Sequence, residues 1–522
     1  MPQTVALLDL GSNSLRMMIV RVDADGSSRM VDQAKRMVRI GEGAFESRLL
    51  QPVPVERTIG ALRDFAAACR THGVDTVIAL ATSAVRDAAN GLEVMERIRQ
   101  ETGFSFTVIS GREEARLICL GVSSALEPLD GLRIFMDIGG GSTELAVARD
   151  ADILELESLK LGAVRLAELF PERSSGPVSP EHYAQMKNHV RENGVLPLHR
   201  MKAHGAVELV GSSGTIQYLA DVAAALALAK GEPVQEDRLA LSGLLRAVEA
   251  LCRCGEEERR AVPGMDARVT GILIPGAAIL QTVMEELGFD SIRISRRGLR
   301  DGALADWLSR RASSAGEGSV REESVQRLAT VCAFEERHSR HVAALALMFF
   351  DSSCEQGLVS LPADLRELLR LAALLHDIGI FLSYSRHNEH SAYLIRNSEL
   401  LGFTRREIAF MASLALFHRG GYDAGHASLE ELSVEQRQAL RALSLFLSMA
   451  EALDKSHEQT VSSVRFVREG GGMALEIVSS QTCPVELERV RQSEAELAAS
   501  LGVRRILWRI DEPRSVLEKS PA

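Results

Sequence analysis

The chain has 522 residues, too many for a single hydrophobic core, and its 46% hydrophobic and 25% charged residues are the balance of an ordinary globular protein. A net charge of −11 excludes non-specific nucleic-acid binding through a global positive field, and no stretch reaches the roughly 18 apolar residues of a membrane span. Seven scattered cysteines, an odd number, exclude a disulfide framework; with no basic-then-apolar leader at the N-terminus, the expectation is a cytoplasmic protein of three or four domains.

The first predicted element is a strand entered by Val5, and residues 7–20 (L-L-D-L-G-S-N-S-L-R-M-M-I-V) read as strand, tight polar turn, strand. Residues 76–81 and 105–110 read as strands, with a helix over 91–100 between them. At 135–148 the opening pattern returns as F-M-D-I-G-G-G-S-T-E-L-A-V-A. Both copies place an apolar residue and a glycine after an Asp, a Ser five positions after that Asp, and a second apolar run. Two such hairpins about 130 residues apart predict a duplicated α/β domain with a cleft between the halves. A loop over 171–180, a strand over 207–210 with a Gly-rich turn after it, and a strand over 291–295 follow. Next come a basic turn and a helix over 301–310.

Residues 311–319 have linker composition, and beyond them helical spacing of apolar residues runs from about 320 to 456. Strands return at 461–467 and 473–478 around a glycine-rich turn, then a helix over 484–500 and a strand over 506–510. The lone Cys252-x-Cys254 has no second pair and carries no metal expectation.

The chemistry concentrates in the turns. Asp9, Asn13 and Ser14 in the first loop, and Asp137, Gly139, Gly140, Gly141, Ser142 and Glu144 in the second, make two phosphate loops. Glycine lets the backbone approach phosphate oxygens, and the Asp at each loop base suits Mg²⁺, an oxygen-seeking cation. The turn Gly211-Ser212-Ser213-Gly214-Thr215 adds a third. Arg293, Arg296, Arg297 and Arg300, with Lys160 and Arg165, offer local positive charge for a polyanion despite the acidic whole.

These loops, with A-T-S-A-V-R-D (81–87), I-S-G-R-E-E-A-R (109–116) and G-S-S-G-T (211–215), resemble the exopolyphosphatase and guanosine-pentaphosphate phosphohydrolase family of the actin-like ATPase superfamily. The resemblance implies duplicated actin-like (ribonuclease H-like) α/β domains at 1–125 and 126–310. An all-α HD-like domain (320–456) and a small α+β module (460–522) are expected to follow. It implies Glu114 as catalytic base, Arg86 as the arginine gripping the reacting phosphate, Asp137 and Glu144 as holders of Mg²⁺ or Mn²⁺ beside the loop-base Asp9, and Arg300 in a substrate-facing segment. The implied activity is processive removal of terminal phosphates from inorganic polyphosphate, with the 5′-phosphate of guanosine pentaphosphate (pppGpp) as the alternative, in a homodimer. An actin-like ATPase or sugar kinase would lack the G-R-E-E-A-R motif. A non-catalytic polyphosphate or alarmone sensor would have no need of Glu114, Arg86, Asp137 and Glu144 together.

In the helical region, His338, the pair His376-Asp377 and Asp454 resemble the ligand order of the HD phosphohydrolase superfamily, implying a candidate second divalent metal. His341 competes as first ligand. His387 and His390 are expected to line an extension of the substrate channel.

Overall fold

The computed structural model describes residues 2–23, 27–149, 152–172, 176–235, 237–312, 320–398, 400–469, 472–492, 494–503 and 506–511. The expected linker at 311–319 lies almost wholly outside them. The chain forms two compact units, dividing at Ala315.

The first unit holds two sheets with the same opening topology. In the first, β1 (Gln3–Leu10), β2 (Leu15–Val22) and β3 (Ser28–Arg36) form an antiparallel meander, and β4 (Thr76–Ala81) adds parallel to β1, followed by the short β5 (Thr107–Val108). In the second, β6 (Arg133–Ile138), β7 (Thr143–Arg149) and β8 (Asp152–Leu159) repeat the meander. There β9 (Glu208–Ser212) adds parallel to β6, with β11 (Ser291–Ile294) beyond it and β10 (Arg238–Ala240) at the edge. This is the duplicated α/β architecture that the echoed hairpins predicted, in the actin-like form that the resemblance implied. β5 is shorter than the expected 105–110 strand because Ser110 leaves the sheet to cap a helix, its hydroxyl accepting the Glu113 N–H at 3.1 Å.

Central strands buried on both faces read as continuous apolar runs. On the first sheet Ala6, Leu8, Leu10, Met17 and Ile19 enter one core layer, and Val5, Leu7, Met18 and Val20 enter another. That second layer is closed by Ala303 and Leu304 of the helix Leu299–Ala312, although sequence order assigned this helix to the second half. It crosses the helix Gly111–Ser123 backbone to backbone. A Cβ on Gly302 would stand 1.7 Å from the Leu117 carbonyl oxygen, and one on Gly121 would stand 2.3 Å from that of Gly298. Only glycine permits this approach.

Among the described residues of the second unit, long helices including Glu336–Glu355, Asp364–Leu375, Arg405–Phe417 and Val434–Ala452 enclose one apolar core. The strands β12 (Val461–Glu469), β13 (Gly472–Ser479) and β14 (Ile506–Asp511) contribute Val464, Phe466, Leu475, Ile477 and Ile506 to that same core. The small α+β segment is therefore packed into the helical domain as one body. Among the described residues no helix is long and apolar enough to cross a membrane.

Candidate active site

The two hairpins fold their loops alike. In the first, the Gly11 N–H donates to the Ser14 carbonyl at 3.1 Å; in the second, Gly139 donates to Ser142 at 2.9 Å. Strand register sets Arg16 opposite Asp9 and Glu144 opposite Asp137. The first turn of the helix Ala163–Leu169 holds the second loop, with Ala163 N–H on the Gly139 carbonyl and Val164 and Arg165 N–H on that of Gly140. The third loop follows β9. Ser213 takes a positive φ of 92°, rare for a residue with a side chain, and its hydroxyl caps the helix Gly214–Leu228 by accepting the Ile216 N–H at 3.3 Å. That helix N-terminus favours anions.

All three loops open on one cleft. Asp9, Asn13, Ser14, Glu114, Asp137, Gly139, Gly140, Ser142, Ser213, Gly214, Thr215 and Arg300 line it together. The remaining expected residues sit one layer back. Arg86 donates to Glu114 Oε2 at 3.1 Å and to the Ile109 carbonyl at 2.9 Å. Glu144 Oε1 accepts from Ser158 at 2.8 Å, while its Oε2 is buried without a hydrogen-bond partner. Ser212 donates to Asp137 Oδ1 at 2.5 Å. Gly141 and Gly211 serve packing, since a Cβ would strike Phe45 and Ser83 at the first and Ile292 and Ile216 at the second.

The basic residues divide. Arg296, Arg297 and Arg300 line the cleft; Arg300 also anchors on the Met17 carbonyl at 3.0 Å. Arg293 turns toward Glu208 and Asp237. Arg165 braces the second loop through the Gly141 carbonyl at 2.7 Å and pairs with Asp87, as does Lys160 at 3.7 Å. Sequence reasoning missed Arg16, Lys35 and Tyr218, which line the cleft. The hairpin echo carried a signal for Arg16, which occupies in the first copy the place of Glu144 in the second. Burial and the neighbouring Arg16 push the Lys35 ammonium down to about 8.

The two glutamates of the helix Gly111–Ser123 have different surroundings. Glu113 is held in a buried ion pair by Arg116, which also reaches Asp306. Glu114 faces the cleft, and burial raises its carboxyl to about 7 against the opposing pull of Arg86. Burial likewise raises Asp9, Asp137 and, further still, Glu144, where the Glu114 charge adds to the effect. The buried Glu114 and Glu144, the latter with an orphaned oxygen, stand with the half-buried Asp9 and Asp137, and this set of carboxyls fits a divalent cation. The oxygens of Asp9, Asp137 and Glu144 do not close within 4.8 Å of one another.

In the second unit, ligand atoms of His338, His376, Asp377 and Glu451 lie within 4.8 Å of one another, as do those of Asp377, His387 and His418. Glu451, missed in the sequence, stands where Asp454 was expected. Asp454 instead meets His338 Nδ1 at 2.8 Å with one oxygen and accepts the Gln459 N–H at 2.7 Å with the other. His341 and His390 belong to neither set.

The family model described as Ppx/GppA phosphatase family matches residues 18–311, and that described as Ppx/GppA phosphatase, domain III matches residues 320–496. Among solved structures, an exopolyphosphatase from Cytophaga hutchinsonii is 26% identical, with a TM-score of 0.54, over 59% of this chain and 98% of its own. An exopolyphosphatase-like protein is 28% identical, with a TM-score of 0.53, over 60% of this chain and 99% of its own.

Proposed function

This chain belongs to the Ppx/GppA phosphatase family, and on that premise we propose that it hydrolyses the terminal phosphoanhydride of inorganic polyphosphate, releasing orthophosphate and a chain one unit shorter. The observation that carries this reading is Glu114. It is a buried carboxylate at the cleft wall, raised to about 7 and held by Arg86, with three anion-binding loops opposite. A general base is most effective when its pKa lies near the working pH.

In this mechanism Glu114 takes a proton from a water whose oxygen attacks the terminal phosphorus. The bond from that phosphorus to the bridging oxygen breaks, and the shortened chain leaves with the negative charge. Ser213, Gly214 and Thr215 at the helix N-terminus, with the two hairpin loops, cradle the phosphoryl oxygens. Arg86 orients Glu114 and lies beside the charge that spreads over the equatorial oxygens. Arg16, Lys35 and Arg300 hold the next phosphates. Asp9, Asp137 and Glu144 would hold Mg²⁺, which when bound supplies charge neutralisation at the phosphate oxygens.

Guanosine pentaphosphate is a second reading, favoured by one observation. Tyr218, Val269, Ile272 and Leu273 give the cleft an aromatic and apolar wall that a bare phosphate chain does not use. Turnover of long-chain polyphosphate and of pppGpp, measured side by side on one preparation, separates the two. A kcat/KM for pppGpp well above that for polyphosphate overturns the first reading.

A further inference from the structure

The two phosphate loops differ in how their carbonyls are held. A planar trans peptide sets its C=O and the following N–H in opposite directions, so whatever ties a loop's carbonyls back decides where its amides point. In the first loop the Ser12 carbonyl accepts the Gly41 N–H at 2.8 Å, and the Asn13 carbonyl accepts the Arg39 N–H at 2.9 Å. Both ties are main chain, and both come from the same half. In the second loop the Gly139 carbonyl accepts the Ala163 N–H at 3.0 Å, and that of Gly140 accepts Val164 and Arg165 N–H at 2.8 and 3.0 Å. Gly141, the counterpart of Asn13, is held instead by a side chain, with Arg165 Nε donating to its carbonyl at 2.7 Å. These bonds turn the amides of Gly140, Gly141 and Ser142 away from the helix Ala163–Leu169, and Gly140 and Ser142 line the cleft.

The side chain that makes this tie is anchored in the opposite half. Arg165 Nη2 pairs with Asp87 Oδ2, and the guanidinium carbon lies 4.3 Å from the centre of the Phe45 ring. The Arg165 and Asp87 side chains are only 15% and 23% exposed, so little water screens the pair. Glu168, three residues after Arg165, reaches the same segment as Phe45 by accepting the Gly43 N–H at 2.7 Å. Gly43, Phe45 and Asp87 of the first half thus meet Gly141, Arg165 and Glu168 of the second in one clasp beside the second loop. Gly141 carries no Cβ to restrict its backbone. The peptide between Gly141 and Ser142 therefore keeps its orientation only while its carbonyl is held.

We propose that Arg165 is a positioning residue that assembles the second phosphate loop only while the two halves of the first unit are joined. With Asp87 and Phe45 in place, the guanidinium is fixed against the Gly141 carbonyl, and the Ser142 N–H is presented to the phosphoryl oxygens. When the halves part, Arg165 loses both anchors and the peptide after Gly141 is free to rotate. The first loop, tied by main chain within its own half, is unaffected. A polyanion that draws the halves together thereby completes its own cradle, and an open cleft lacks one amide donor. The effect on turnover rests on the hydrolytic reading above; the coupling of Arg165 to the loop does not.

Two measurements on the full-length protein test it. Hydrogen exchange with Mg²⁺ and orthophosphate present needs no turnover. Arg165→Gln should speed exchange at 140–142 by roughly 10-fold or more, the loss of one charge-assisted hydrogen bond, and leave 11–14 at the wild-type rate. Asp87→Asn, which removes only the anchor, should give the same pattern more weakly, and the double variant should go no further than Arg165→Gln. If Arg165→Gln does not fold, Asp87→Asn reads the same coupling. Steady-state phosphate release from polyphosphate is the second measurement. There Arg165→Gln should lower kcat by roughly 10²–10³-fold, the range for one lost oxyanion donor, with KM little changed. Unchanged exchange at 140–142 overturns the proposal, as does faster exchange in both loops alike, which marks general loosening. An unchanged kcat in Arg165→Gln overturns it with hydrolysis intact. The expected exchange pattern in a wild type that releases no phosphate overturns the hydrolytic reading and upholds the coupling.

Discussion

Replacing Arg86 by Gln tests how the base is tuned. The guanidinium Nη1 lies 3.1 Å from Glu114 Oε2, with side chains 22% and 10% exposed, so little water screens the pair. Burial raises the Glu114 carboxyl and Arg86 is the largest influence pulling it back, leaving it at about 7. A partner charge at this range lowers a carboxyl by about 1–3 pH units. Without it, the acidic limb of kcat/KM should move from about 7 to roughly 8–10. At pH 7 the ionised fraction would fall from about one half to between roughly 10% and 0.1%, an approximately 5- to 500-fold loss from the base alone. Raising the pH should restore that part, whereas the loss of positive charge beside the phosphate should persist at every pH. Steady-state phosphate release from polyphosphate across roughly pH 5.5–10 reads both components. Arg86→Lys, which keeps the charge, should hold the limb nearer to wild type. A limb that stays at about 7 in Arg86→Gln, or moves to acid, refutes Glu114 as the titrating base.

Glu114→Gln should lower kcat by roughly 10²–10⁴-fold with polyphosphate binding retained, as equilibrium binding of a labelled chain would report. Asp137→Ala should raise the Mg²⁺ concentration needed for half-maximal rate, and excess chelator should abolish turnover of the wild type. The raised carboxyls also make stability pH-dependent: in the folded state Glu114 titrates at about 7 and Asp9, Asp137 and Glu144 are raised too. The Glu114 contribution is full below the unfolded pKa and is lost as pH rises through about 7, and each of the other three is lost as pH rises through its own raised folded pKa, so Mg²⁺ should raise Tm more at pH 8 than at pH 5.5. Gly302→Ala, which drives a Cβ into the Leu117 carbonyl, should cost about 1–3 kcal/mol or more in denaturant unfolding.

The hairpin loops were legible as turns because their geometry is local: an Asp, a Gly and a Ser at fixed spacing define the turn, and the register that pairs Asp137 with Glu144 follows from turn length. Glu114 was singled out from Glu113 by the resemblance alone; the structure adds the physical difference, with Arg116 engaging Glu113 and Glu114 lining the cleft. Lys35 and Tyr218 reach the cleft from β3 and the helix Gly214–Leu228, and they meet across 183 residues at 3.1 Å. No sequence spacing encodes such a meeting. Glu451 was missed for another reason. It lies three residues before Asp454, nearly one helical turn, so both acids reach His338 and residue type alone does not say which one reaches Nε2.

The helix Leu299–Ala312 has a consequence for the newborn chain. The core layer formed by Val5, Leu7, Met18 and Val20 is closed by Ala303 and Leu304, which leave the ribosome nearly 300 residues later. At roughly 5–20 residues per second, the apolar face of β1 and β2 waits about 15–60 s for its cover. Truncations that stop after the first sheet should accordingly aggregate or engage chaperones, and the smallest fragment expected to fold alone runs through the whole first unit.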